Sequence, residues 1–312
     1  MKVRQVKGNT YCIDVGISYI PFYKLNEKDI VLMDTGEPDD RELLESVFEE
    51  YNLNIKGILC SHGHPDHIGN NKYFKEKYGC PIAMPIFEAL ICSSPINLKA
   101  YYNNNTLTEI IDHYSFMIFE TDVYITDKQT ELIFCGAGFK IFHTNGHSPS
   151  HICITTPDKV GYVADALISY EMIENAKIPF DFILLEDLKS KDNLLSYDCD
   201  RYIVAHKGIY DDITNLIADN IAFYIHRAEK IFELIKGKMT MGEITSAAAE
   251  SFQVNIKNLV KYDLISRMLR CYVDYLYEIG KIRLVIDDGL RKYCPFVVAQ
   301  TDKTAEYHDI LA

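Results

Sequence analysis

The sequence predicts an α/β layered domain followed by a small helical domain, and three observations predict it. Short apolar runs alternate with amphipathic helical stretches up to about residue 85. Beyond about residue 215 the texture changes to long helices. Charge shifts at the same place: residues 215–295 hold twelve Lys or Arg against ten Asp or Glu, a net of +2, which leaves −15 on the rest of a chain whose net charge is −13. Its 312 residues are enough for two domains.

"NTYCIDVG" and "DIVLMDTG" read as strands, each closed by Gly. "DDRELLESVFEEYN" places Leu43, Leu44, Val47 and Phe48 at helical spacing, with acidic residues in the first turn. "IKGILCSH" is a buried strand, "NKYFKEKYG" a helix closed by Gly79, and "CPIAMP" another strand. Residues 86–118 lack strand alternation and read as a helical insertion with an Asn-rich break, over one face of the domain. "ELIFCGAGFKIFHTNGHSPSHICITTP" alternates as hairpin strands, and "KVGYVADALIS" and "RYIVAHKGIY" are further strands. After residue 215, "IAFYIHRAEKIFELIKG" is amphipathic and "TMGEITSAAAESF" opens with the capping-box spacing Thr240/Glu243. "LVKYDLISRMLRCYVDYLYEIG" is a long helix, and "KIRLVIDDGLRKYC" is a hairpin turning at Asp288-Gly289. Three helices and a hairpin are the order of a winged-helix-like domain. The expected bounds are 1–212 for the layered domain, 215–298 for the helical one and 299–312 for a tail.

Composition excludes several classes. No apolar run has the length of a membrane span, and the N-terminus lacks the apolar block of a signal peptide. Nine scattered cysteines without a CxxC pair suit reduced thiols, so a cytoplasmic protein is expected. The acidic balance disfavours general affinity for nucleic acid.

The informative stretch is "SHGHPDHIGN", residues 61–70, in a chain with ten histidines. His62 and His64 alternate by two, so on an extended segment they point the same way and can share a metal ion. Pro65 holds the backbone extended before the chain turns into a helix carrying Asp66 and His67. Zn²⁺ and similar borderline metals take imidazole nitrogen and carboxylate oxygen in this way. An exposed loop that merely happens to be rich in His does not account for four ligand-type residues at a strand end.

HxHxDH resembles the signature of the metallo-β-lactamase superfamily, and the other elements of that family follow in order over residues 1–210. "LMDTG" resembles the first motif (Asp34), "NGHSPSH" the third (His147), "VADAL" the fourth (Asp165) and "VAHKG" the fifth (His206). Asn145 and Ser150 stand where the family usually has Pro and Gly, and neither change removes a ligand. The resemblance implies an αββα sandwich with the metal site at one edge. It implies His62, His64 and His147 around a first metal, Asp66, His67 and His206 around a second, and Asp165 bridging them. Asp34 would orient ligands by hydrogen bonds. Two divalent ions are implied, zinc first, with iron or manganese as alternatives; His64 stands where the flavin-linked diiron branch has Glu. His143 and His151 match no ligand position of the family and are read as structural. Lys207 is either a solvated surface lysine or an anchor for an anionic substrate group.

A metal lowers the pKa of bound water to about 7, and the hydroxide so formed can attack a carbonyl or phosphorus centre. Asp66 and Asp34 are the candidate catalytic carboxylates, Asp66 by orienting the nucleophile or passing a proton to the leaving group. The first functional expectation is hydrolysis of a small, anionic ester, thioester or lactone, as in branches similar to glyoxalase II. The alternatives are a single-stranded RNA endonuclease, since β-lactamase-like protein 2 resembles this domain order, and a mononuclear iron oxygenase. The absence of a β-CASP insertion argues against that nuclease branch. The long helix mixes Lys261, Arg267 and Arg270 with Asp263, Asp274 and Glu278, so its domain is expected to pack or dimerise rather than to bind nucleic acid.

Overall fold

A computed structural model describes residues 2–296; the tail expected over 299–312 lies outside the described residues. Seven strands form the first sheet, in chain order: β1 (Val3–Lys7), β2 (Thr10–Asp14), β3 (Tyr19–Lys24), β4 (Asp29–Met33), β5 (Asn54–Leu59), β6 (Ile82–Pro85) and β7 (Val123–Ile125). β1 to β4 are antiparallel neighbours, and β4 to β7 run parallel. The second sheet has the order β13-β12-β11-β10-β9-β8, built from β8 (Glu131–Phe134), β9 (Ala137–His143), β10 (Ile152–Thr155), β11 (Val160–Ala164), β12 (Arg201–Val204) and β13 (Gly208–Tyr210).

Strand alternation sorts the side chains into three apolar layers. On β4, Ile30 and Leu32 face outward and pack with Leu44, Val47 and Phe48 of helix α1 (Arg41–Glu50). Val31 and Met33 face inward and meet Phe139, Ile154 and Tyr162 of the second sheet. The outer face of that sheet carries Cys153, Val163 and Val204 against Leu194, Leu216 and Ile217. Helices on both outer faces of two packed sheets make the αββα sandwich that the motifs imply.

Helices follow β5 and β6 on the first sheet's side. α2 (Pro65–Ile68) is a single turn with Pro65 at its first position, and α3 (Asn71–Tyr78) ends on Gly79 in the left-handed region. The segment 86–118 carries α4 (Ile86–Ile91), α5 (Pro95–Tyr101) and α6 (Leu107–Tyr114), with Asn103 to Asn105 between the last two. Ser94 and Thr106 cap the N-termini of α5 and α6. Between β11 and β12 lie α7 (Tyr170–Asn175) and α8 (Leu184–Asn193), two helices that the sequence reading did not assign.

α9 (Thr214–Leu234), α10 (Met241–Ser251), α11 (Leu259–Glu278) and the hairpin β14 (Ile282–Asp287)–β15 (Leu290–Pro295) complete the described chain. The capping box at Thr240/Glu243 is formed, and the hairpin turns through Asp288 and Gly289, both at positive φ. The chain divides into two compact units, the first ending at Ile225 and the second starting at His226. The division thus falls inside α9 rather than near residues 212–215, where the sequence placed it. The physical reason is that Leu216 and Ile217, in the first turns of α9, are buried in the outer layer of the first unit.

Candidate metal centre

Every candidate ligand lies just beyond the end of a strand or on the turn that follows one. Asp34 follows β4; His62 and His64 follow β5; Asp66 and His67 sit on α2; His147 lies between β9 and β10; Asp165 follows β11; His206 follows β12. Because β4 and β5 are parallel, as are β11 and β12, these strand ends converge on one edge of the sandwich. Asp34, Ala164 and Lys207 take positive φ at or beside these ends. Non-glycine residues in that region are strained, and such strain concentrates where a side chain must be aimed.

Two donor groups that share Asp165 result, beside a third of Asp34, His62 and His67 in which Asp34 is hydrogen-bonded to the His67 ring. His62, His64, His147 and Asp165 form one, and Asp66, His67, Asp165 and His206 the other, each with its ligand atoms within 4.8 Å of one another. Asp165 belongs to both. In the first group, Nε2 of His62 and Nε2 of His147 converge on Nδ1 of His64 at 2.9 and 3.0 Å. In the second, Asp165 Oδ2 lies 3.3 Å from His67 Nε2 and 3.4 Å from His206 Nε2, and Asp66 Oδ2 lies 3.4 Å from His206 Nε2. His67 Nε2, Asp165 Oδ1 and His206 Nδ1 are buried without a hydrogen-bond partner. Orphaned buried donors and acceptors are costly. Imidazole and carboxylate atoms held in this way fit divalent cations of the zinc type.

The carboxylates of the cluster favour positive charge beside them. Burial and the surrounding imidazoles of His67 and His64 hold His62 well below the usual histidine range, so its ring is neutral with a lone pair available. Burial would also lower His67, but Asp165 and Asp66 outweigh it and raise the ring well above its ordinary value. Asp165, with some help from Asp66, raises His206 to about 10. Burial works against ionised Asp165, yet His206 and His67 hold it well below the usual carboxylate range.

A second layer of side chains fixes the first. Asp34 is fully buried; its Oδ2 lies 2.8 Å from Nδ1 of His67 and accepts from Ser61 Oγ at 2.6 Å and from the Tyr162 hydroxyl at 2.8 Å. A proton on His67 Nδ1 leaves Nε2 facing the centre. Asp181 is buried with Oδ1 3.3 Å from His147 Nδ1. Glu88, on α4, accepts from Gly63 N at 3.1 Å, Ser148 Oγ at 2.7 Å and Ser150 N at 3.0 Å. Its carboxylate thereby ties the His62–His64 loop to the loop carrying His147. Gly63 leaves room for that carboxylate, since a Cβ would stand 2.9 Å from Glu88 Oε2 and push the end of that side chain aside. Gly146 is required: φ is +131° and a Cβ would meet the Asp187 backbone nitrogen at 2.1 Å.

Ser61, Glu88, Tyr162 and Asp181 did not emerge from the sequence reading. His151, read as structural, is buried against the His62 ring with 4.8 Å between centroids; its Nδ1 lies 2.7 Å from Thr144 Oγ1, and its Nε2 accepts from Asp165 N at 3.3 Å. His143 Nε2 lies 2.9 Å from the Gln129 carbonyl, away from the ligands. Lys207 is partly exposed, with Nζ 3.8 Å from Asp14 Oδ1.

The fold and the site define a class, and the comparisons agree with it. Residues 14–206 match the family model of the metallo-beta-lactamase superfamily. The chain belongs to that superfamily and is an enzyme of its hydrolase kind. It is 28% identical over 193 residues to hydroxyacylglutathione hydrolase GloC of Haemophilus influenzae, an alignment covering 60% of this chain and 84% of that one. It is 21% identical over 309 residues to an atrochrysone carboxyl ACP thioesterase of Cryptosporiopsis sp., covering 93% and 80%. Among solved structures, a metallo-beta-lactamase family protein of Thermus thermophilus superposes with TM-score 0.68 at 18% identity, over 92% of this chain and 99% of that one. No helix among the described residues is long and apolar enough to cross a membrane.

Proposed function

We propose that the protein is a dinuclear metal-dependent hydrolase of carbonyl thioesters and related small esters. The observation that carries this reading is the pair of donor groups sharing Asp165. His62, His64 and His147 would hold one ion, Asp66, His67 and His206 the other, with Asp165 between them. When bound, the ions supply a water ionised at neutral pH and a Lewis acid for the carbonyl oxygen. Zinc suits the imidazole-rich donor set, and iron or manganese is the alternative. Asp34 orients His67 by a hydrogen bond, and Asp181 faces His147 Nδ1 as a buried opposite charge. Asp66 is the more exposed of the two aspartates nearest His206. Burial would raise its carboxyl, but His67 and His206 hold it well below the usual carboxylate range, so it is placed to take a proton from the attacking water and pass it to the departing thiolate or alkoxide. Lys207, beside His206, supplies a positive charge for an anionic substrate end once it leaves Asp14. Two relatives whose names are those of thioester hydrolases support the choice of thioesters.

The second unit serves packing or self-association in this reading. Arg270 is paired with Asp274, and Lys238 and Lys292 with Asp287, which leaves fewer cations for a phosphate backbone. Leu259, Val260 and Leu264 are exposed on α11, which suits a homodimer through that unit.

The test is metal analysis joined to a hydrolysis screen. About two equivalents per chain are expected, one for each donor group. Hydrolysis of hydroxyacylglutathione and simple acyl thioesters should be abolished by chelators and by His62→Ala. A single equivalent unchanged by Asp66→Ala or His206→Ala overturns the dinuclear reading. Cleavage of single-stranded RNA without turnover of any carbonyl substrate overturns the substrate class.

A further inference from the structure

α4 has apolar residues on both faces. Ala89 and Ile91 are buried together with its one charged residue, Glu88, while Phe87 and Leu90 are 49% and 51% exposed. The inward face is explained by the Glu88 contacts to the two ligand loops. The outward face is not explained by packing, and two large apolar side chains exposed side by side on one helix mark a surface open to a partner or ligand.

That face opens onto a cavity of about 530 Å³ lined by Phe87, Leu90, Ala100, Tyr101 and Phe182, with Asn97 and Asn103 as polar members. The volume is that of a small-molecule site, and so is the balance of apolar walls with few polar groups. The cavity shares a wall with the candidate metal centre. Tyr101 lines it, and the Tyr101 hydroxyl lies 3.4 Å from His64 Nε2. The Tyr101 ring packs on Phe182 at 5.7 Å, while Phe180, two residues back, stands 5.5 Å from the His64 ring.

We infer that this cavity receives the apolar acyl chain of the substrate, so that the preferred substrates are thioesters of medium-length acyl groups. The inference rests on the thioester reading above and extends it from bond type to acyl group. The lining is apolar, whereas the thiol carriers of such esters are polar or charged, so the acyl half is the half that fits. Hydrolysis then breaks the C–S bond and forms a C–O bond from water. The products are the carboxylic acid, which loses its proton to solvent at neutral pH, and the thiol, which takes up the other proton.

The test uses S-acyl N-acetylcysteamine thioesters from acetyl to octanoyl. kcat/KM is expected to rise about twofold to fourfold per methylene, the range for partial to full burial of each CH2. Ala100→Trp fills the cavity from a helical position on its wall and should cut the octanoyl-to-acetyl ratio about tenfold or more, the burial of roughly two methylenes. A binding readout runs alongside: octanamide should displace 1-anilinonaphthalene-8-sulfonate from the wild-type protein far better than acetamide does, and this difference should vanish in Ala100→Trp. Equal kcat/KM along the series with displacement insensitive to Ala100→Trp overturns the inference and leaves the hydrolase reading intact. Cavity-dependent displacement without turnover of any thioester supports the acyl-binding cavity and overturns the hydrolase reading instead. A dimer dissolved by Ala100→Trp, with a flat acyl series, assigns the face to a second copy and also overturns the inference.

Discussion

Replacing Glu88 tests whether the metal centre is held by its outer contacts or only by its ligands. Glu88 receives three hydrogen bonds, two from the backbone nitrogens of Gly63 and Ser150 and one from the Ser148 hydroxyl, and it is 1% exposed. Burial pushes its carboxyl upward, and the three donors work in the opposite direction by favouring the ionised form. Glu88→Ala strands two buried N–H groups at about 1–3 kcal/mol each, partly offset by removal of a buried charge. The expected loss of stability in the metal-free protein is therefore about 2–5 kcal/mol.

Glu88→Gln separates the two ends of the clamp. Its amide oxygen can replace Oε1 and accept from Ser148 and Ser150, but its NH2 then faces the Gly63 N–H, donor against donor. The fold should lose only about 1–2 kcal/mol, while the loop between His62 and His64 is released. Metal affinity, measured by competition with a chelator, should fall about 10–100-fold in both variants. Denaturant unfolding of the metal-free proteins supplies the stability values. If both variants keep metal affinity within about twofold of wild type, far less than loss of such an outer partner costs, Glu88 supports the fold and not the ligands.

Lys191 and Asp187 are both 1% exposed and paired one turn apart on α8, with the Lys191 ammonium 4.6 Å from the centre of the Tyr224 ring. Lys191→Met should cost about 3–5 kcal/mol in urea unfolding by leaving a buried carboxylate unpaired, and adding Asp187→Leu should recover most of it. Burial raises the thiols of Cys12 and Cys153 to about 12 and that of Cys80 to about 11, so each is protonated and unreactive at pH 8. Of the nine cysteines only Cys135 is partly exposed, so 5,5′-dithiobis(2-nitrobenzoate) should titrate one thiol quickly in the folded protein and all nine after unfolding. Lys207→Ala should raise KM for anionic substrates more than for neutral ones with kcat little changed, and an equal effect on both kinds would assign Lys207 to its contact with Asp14 alone.

The residues that the sequence made legible are those whose grouping is local or marked by a strand end. His62, His64, Asp66 and His67 fall within six positions, and the turn at Pro65 is encoded beside them. His147, Asp165 and His206 could be assigned because each follows an apolar strand and because the motifs occur in a family order. The outer partners had neither mark. Tyr162 reaches Asp34 across 128 positions and Glu88 reaches Ser150 across 62, contacts that only the packing of two sheets and an insertion can create. Glu88 was further concealed by its surroundings: the lone glutamate in "FEALIC" is of a residue type that usually faces solvent, whereas here it is on the inner side. The break between units was misplaced for a related reason. The amphipathic pattern reads as a helix only from Ile221, whereas α9 starts at Thr214, and Leu216 and Ile217 in its first turns belong to the first unit's core. α4 turns Glu88 inward with Ala89 and Ile91 and leaves Phe87 and Leu90 exposed. Its buried acid is needed by the ligand loops, and its exposed apolar pair is left for whatever enters the cavity. A six-residue run such as IFEALI is too uniformly apolar to carry an amphipathic signal, so the sequence assigns it to a helical insertion without saying which face is inward.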